Sequence, residues 1–200
     1  MQRPCTGSFD KTPPKEILWR TYPHRLFFGR ESTSSWGPGG AAFLNPESNI
    51  QDKAYLCLYR ITCDICDVVL LISFVSPFYL LLEQFNDILR QENVSSYSMT
   101  SPLFDLDDLI SVASNESNSL ELQMGGWYSN VVYLGKEEDI PILTMTCMNS
   151  DLESFKSGKL PIVAPCKAYM NTLLRGLVEG GQLSEEEAMA YIQEATKKPL

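Results

Sequence analysis

The sequence predicts an α+β fold, a small mixed β-barrel or sheet with flanking helices. Three observations predict it. Short runs rich in Tyr, Phe, Leu and Val, bounded by Gly, Pro and Asn, read as strands. Four longer stretches show helical period or helix-end signals. The order is strands, two helices, strands, then two helices, which argues against alternating βαβ units.

The 200 residues fit one domain, with an apolar fraction of 44% that is ample for a core. Residues 1–24 read as an irregular N-terminal arm, carrying Pro4, Pro13 and Pro14 in its first part. Residues 25–197 read as the folded domain. Strands are expected over Arg25–Phe28, Ala41–Leu44 and Ala54–Ile61. A helix is expected over Leu82–Glu92, where Leu81, Phe85, Ile88 and Leu89 form one stripe and Asn86, Asp87 and Arg90 fall elsewhere. Ser101-Pro102 reads as an N-cap and first helical position. Trp127–Leu134 and Ile140–Cys147 read as paired strands. Pro165–Glu179 and Ser184–Lys197 read as helices, the first stopped by Gly180-Gly181 and the second opened by a Ser184/Glu187 capping box.

The formal charge is -9. Such a chain is repelled by nucleic acid and by anionic membrane surfaces, so neither is expected as a partner. Six cysteines in this length suggest a reduced, cytoplasmic setting rather than a disulfide framework, and Met1–Lys15 does not resemble a signal peptide. Val68–Leu82 carries no charge. It is shorter than the roughly 18–20 residues of a spanning helix and holds Pro77, so a buried segment is preferred to a membrane span.

The candidates for chemistry are few. The single histidine, His24, has no triad partner near it in sequence, and zinc sites built on several histidines are excluded. Neither a dinucleotide fingerprint nor a phosphate-binding loop is present. Cys63 and Cys66 form one CxxC, half of a zinc site or a redox pair out of its usual context; two ordinary thiols are the simpler alternative. Asp105, Asp107 and Asp108 lack the spacing of a calcium loop, and helix-end charge explains them better. Glu92 lies three, four and seven residues after Leu89, Ile88 and Phe85, so it continues their apolar stripe. A carboxylate held there has its pKa raised, which suits a general acid/base. The competing possibilities are a frayed helix end, an outward rotamer, or a pairing with Arg90.

Four blocks resemble the gamma-glutamylcyclotransferase family. They are Ser35-Trp36-Gly37-Pro38-Gly39-Gly40-Ala41-Ala42, the strand Ala54–Thr62, the helix Leu82–Asn93 ending Arg90-Gln91-Glu92-Asn93, and Ala164-Pro165-Cys166-Lys167-Ala168-Tyr169 with its helix. The resemblance implies cyclisation of a gamma-glutamyl amine to 5-oxoproline, in glutathione metabolism or a related route. Glu92 would be the acid/base, and Gly39, Gly40 and Tyr169 would bind a small-molecule gamma-glutamyl substrate. No metal or organic cofactor would be needed, and the oligomeric state is left open. Two departures are visible. The family's Tyr-Gly-Ser-Asn loop is absent, and an apolar insert at about 63–81 separates strand from helix. These suggest an alternative or incomplete transcript with translated intron sequence. A catalytically inactive isoform or binding module on the same fold is the alternative.

Overall fold

The computed structural model describes residues 16–32, 37–60, 69–70, 82–93, 102–137, 139–180 and 182–197. In chain order the elements are β1 (Glu16–Tyr22), β2 (Leu26–Ser32), β3 (Gly39–Leu44), β4 (Ala54–Arg60), β5 (Val69–Leu70), α1 (Leu82–Asn93), α2 (Leu106–Ser114), β6 (Ser119–Glu121), β7 (Asn130–Glu137), β8 (Ile140–Thr146), α3 (Asn149–Lys156), α4 (Lys167–Glu179) and α5 (Glu185–Lys197). The mixture is α+β. The strands pair as β1–β4, as β2–β3, and as a four-stranded sheet in the order β5-β8-β7-β6. The chain divides into two compact units, and β1 and β4 each run from one into the other.

The first unit includes residues 77–148. β6, β7 and β8 run antiparallel, and β5 joins β8 in parallel. The register sets Val131 opposite Met145 and Tyr133 opposite Leu143. Alternation sends these four side chains to one face. There they meet Phe85, Ile88 and Leu89 of α1, Phe104, and Leu109 and Val112 of α2. The Phe85 and Phe104 rings pack edge to face, 5.3 Å apart. The opposite face of the same two strands carries Asn130, Val132, Thr144 and Thr146, and these are buried as well.

The second unit holds β2, β3 and the three C-terminal helices. β2 and β3 are antiparallel, with a bulge at Gly29/Glu31 where Arg30 takes a positive φ. Phe27 and Phe43 pack together and both lie against Phe155 of α3. Leu173 and Leu177 of α4 and Ala188, Ile192 and Ala195 of α5 are buried.

Several expectations shift. Glu16–Tyr22 is a strand, so the expected arm contains an element. The helix expected from Ser101-Pro102 starts at Leu106, because Asp105 caps it: the Asp105 side chain accepts from the Asp108 N–H and the Asp108 side chain accepts from the Asp105 N–H. α3 is a helix not expected from the sequence, although Leu152 and Phe155 have helical spacing and Gly158 follows with φ +72°. Of the uncharged run, Val69–Leu70 is strand β5; most of the expected insert at about 63–81 lies outside the described residues.

Candidate functional site

α1 positions the one carboxylate the sequence singles out. Glu92 sits in its last turn, one residue before the buried Asn93. Its side chain reaches solvent, yet the surrounding protein desolvates the carboxyl enough to push its pKa up. That exposure limits the size of the shift. Among the described residues, none forms a hydrogen bond or ion pair with the Glu92 carboxyl group, and burial is the cause of its shift.

The buried stripe of α1 is broader than its apolar pattern. It comprises Phe85, Asn86, Ile88, Leu89 and Asn93. Glu92 stands at the margin of that stripe. Asn86 and Asn93 are two turns apart on one face and act as clips. The Asn86 amide donates to the Leu82 and Phe104 carbonyls at 2.8 and 2.7 Å, and its oxygen accepts from the Leu103 and Phe104 N–H groups. The Asn93 amide donates to the Leu89 and Tyr128 carbonyls at 2.8 and 2.9 Å, and its oxygen accepts from the Tyr128 N–H at 2.7 Å. Sequence reasoning placed Asn86 off the core face, because a polar residue carries no hydrophobic signal even when every polar atom of it is satisfied.

Gly39, Gly40 and Tyr169 lie in the other unit, and the structure brings these three into one neighbourhood. The Gly40 N–H donates to the Ala164 carbonyl at 2.8 Å, and the Val163 N–H to the Phe28 carbonyl at 3.1 Å. A Cβ on Gly40 would stand 1.9 Å from the Val163 carbonyl oxygen, and one on Gly39 2.3 Å from the Cys166 nitrogen. These glycines therefore admit a close backbone approach by residues 163–166. The Tyr169 N–H points at the Cys166 sulfur, 3.5 Å away, and its ring lies edge to face with Phe28. Glu92 belongs to the first unit and they belong to the second.

Asp105 and Asp108 are accounted for by the capping box of α2, with Asp107 in its first turn. Cys63 and Cys66 lie outside the described residues. Among the described residues, no three His, Cys, Asp or Glu side chains converge as metal ligands. His24 is buried, its Nδ1–H donating to the Asn45 carbonyl at 3.0 Å, and burial lowers its pKa. No described helix is long and apolar enough to cross a membrane.

No protein-family profile matches the chain, and no solved structure matches it. A curated protein does. The chain is 54% identical, over all 200 residues, to a protein of Arabidopsis thaliana named Histone deacetylase 5. The chain spans about a quarter of that relative's length, 27%. This similarity corrects the family resemblance read from the four blocks. A relative this close over the whole chain bears a histone deacetylase name and not a gamma-glutamylcyclotransferase one. The expected cyclisation to 5-oxoproline and the link to glutathione metabolism fall with it, and the inactive module on that fold gains no support. The physical reason for the error is that the blocks are short. Gly39-Gly40 and the strand after it are explained by backbone packing on residues 163–166, and a helix ending in a carboxylate occurs in many folds.

Proposed function

We propose that the chain takes part in protein deacetylation, as a domain of a histone deacetylase-type polypeptide. The observation that carries this is its 54% identity, over its full length, to the Arabidopsis protein of that name. Because the chain spans 27% of that relative, activity and substrate are both inferred from the relative's name. A protein substrate replaces the small gamma-glutamyl molecule, for which nothing speaks. The chain's own charge supports this choice: at -9 it attracts basic segments such as histone tails and steers their encounter. A cytoplasmic setting is part of the proposal; six cysteines in 200 residues are too sparse for the disulfide framework of an oxidising compartment.

One route to deacetylation uses a metal-activated water held by three protein ligands. The described residues do not supply that donor set, because no three His, Cys, Asp or Glu side chains converge among them. No step is therefore derived through a metal on this chain. The test has two arms. An acetylated histone-tail peptide should associate with the purified chain, more weakly as salt is raised. Removing the matching segment from the Arabidopsis protein should lower acetate release from that peptide. Unchanged release together with no association would overturn the proposal.

A further inference from the structure

We infer that the outer face of α2 docks a basic amphipathic helix of a partner protein, with Leu106 and Ile110 as its apolar contact and Asp105, Asp107 and Glu116 as its charged rim. α2 is apolar on two sides. Leu109 and Val112 enter the core of the first unit. Leu106 and Ile110 stay outside it, 61% and 57% exposed. A helix with apolar residues on both sides is normally covered on both. Exposed apolar side chains that stand singly are ordinary. Among the described residues four large ones are exposed, and only Leu106 and Ile110 share an element. They stand one turn apart, so their side chains adjoin. Ser111 and Ser114 continue the exposed face and are small enough to let another helix come close. The Ser114 hydroxyl already donates to the Ile110 carbonyl at 2.7 Å, so it calls for no polar partner.

Charge selects the occupant. Between Arg90 and Lys136 the sequence holds six carboxylates and no lysine, arginine or histidine. Most of the formal charge of -9 therefore falls on this stretch. α2 lies within it, with Asp105 capping its start, Asp107 beside Leu106, and Glu116 just past its end. All three are exposed, and the capping hydrogen bond leaves the Asp105 charge in place. Among the described residues no lysine or arginine forms an ion pair with any of them. A second copy of the chain would set carboxylate against carboxylate. A helix with leucine-type residues four apart and lysine or arginine beside them satisfies both features of the face. Nine residues of helix offer less than a standard interface, so the contact is transient and salt-sensitive.

The face belongs to the first unit alone and does not depend on the deacetylation proposal. The probes are synthetic peptides of about 15 residues, the length at which isolated helices begin to hold. One segregates Leu and Lys on opposite helix faces, one has the same composition in scrambled order, and one carries Glu in place of Lys. Binding to the full chain is read by fluorescence anisotropy and by NMR amide shifts. The segregated Leu/Lys peptide should shift the amides of α2, bind about tenfold tighter than the scrambled one, and weaken as salt rises. The Glu peptide should not bind. Leu106→Ser together with Ile110→Ser should weaken the segregated peptide about tenfold, with circular dichroism and Tm confirming the fold. Asp107→Asn should flatten the salt dependence. Equal binding of the scrambled peptide, shifts away from α2, or no saturable binding would overturn the inference. So would a dimer of the chain alone that the double substitution dissociates, since that gives the face to a second copy.

Discussion

Asn86 joins a helix to a loop through four backbone partners, two of them carbonyls and two amides. Replacing it with Ala leaves the Leu103 and Phe104 amides and the Phe104 carbonyl without that partner. Each buried polar group left unpaired costs about 1–3 kcal/mol. The expected loss for Asn86→Ala is therefore on the order of 3 kcal/mol, measured by urea unfolding; a loss under about 1 kcal/mol would show the clip to be idle. Glu92→Gln should behave in the opposite way. The folded-state pKa of Glu92 is raised, so the native state binds the proton more tightly than the unfolded chain, and ionisation disfavours folding. The variant should match the parent in acid and equal or exceed its stability once pH has risen through the raised pKa. His24 has a lowered folded pKa because of burial, so the unfolded chain binds more protons in the window below the ordinary value of 6.5. Its contribution is full above 6.5 and is lost as pH falls through that value toward the folded pKa. His24→Gln should flatten the stability profile in that window, and an unchanged slope would assign the dependence to other groups.

Among the elements, α2 shows most directly how a local sequence rule outvotes another. Ser101-Pro102 and Asp105/Asp108 are both helix-start signals, and the reciprocal pair of hydrogen bonds at Asp105 prevails. Asp105→Ala should cost about 1 kcal/mol, read from the urea midpoint. The strand and helix positions that were legible, β3, β8, α1, α4 and α5, have apolar patterns or caps that agree with their tertiary partners. What was not legible depends on contacts distant in sequence. β1 is defined by pairing with β4, and β6 by its register on β7, where Ser119 faces Val132. The candidate site divides in the same way. Glu92 was visible because helical spacing is local, whereas the seating of residues 163–166 on Gly39 and Gly40 joins segments far apart in sequence. Asn93, adjacent to Glu92, was invisible because its three bonds lead to Leu89 and to Tyr128, the latter thirty-five residues on.

For the whole molecule, charge is the quantity that sequence alone settles, and it has a thermodynamic consequence. Twenty-five acidic residues face sixteen basic ones. Several of those bases are already engaged: Arg30 with Asp151, Lys156 between Glu47 and Glu153, and Arg175 with Glu179. The excess carboxylates repel one another in the compact state more than in the expanded chain. Salt screens that repulsion, and it also screens the exposed pairs, each worth about 0–1 kcal/mol. The partly buried Arg30–Asp151 pair is screened least. Repulsion over the whole surface should therefore win. Raising salt from about 0.01 to 0.15 M shortens the screening length from about 30 to 8 Å. A gain of about 1 kcal/mol would raise Tm by about 2–4 °C in a chain of this size. A fall in Tm over the same range, followed calorimetrically at constant pH, would mean that the ion pairs outweigh the net charge.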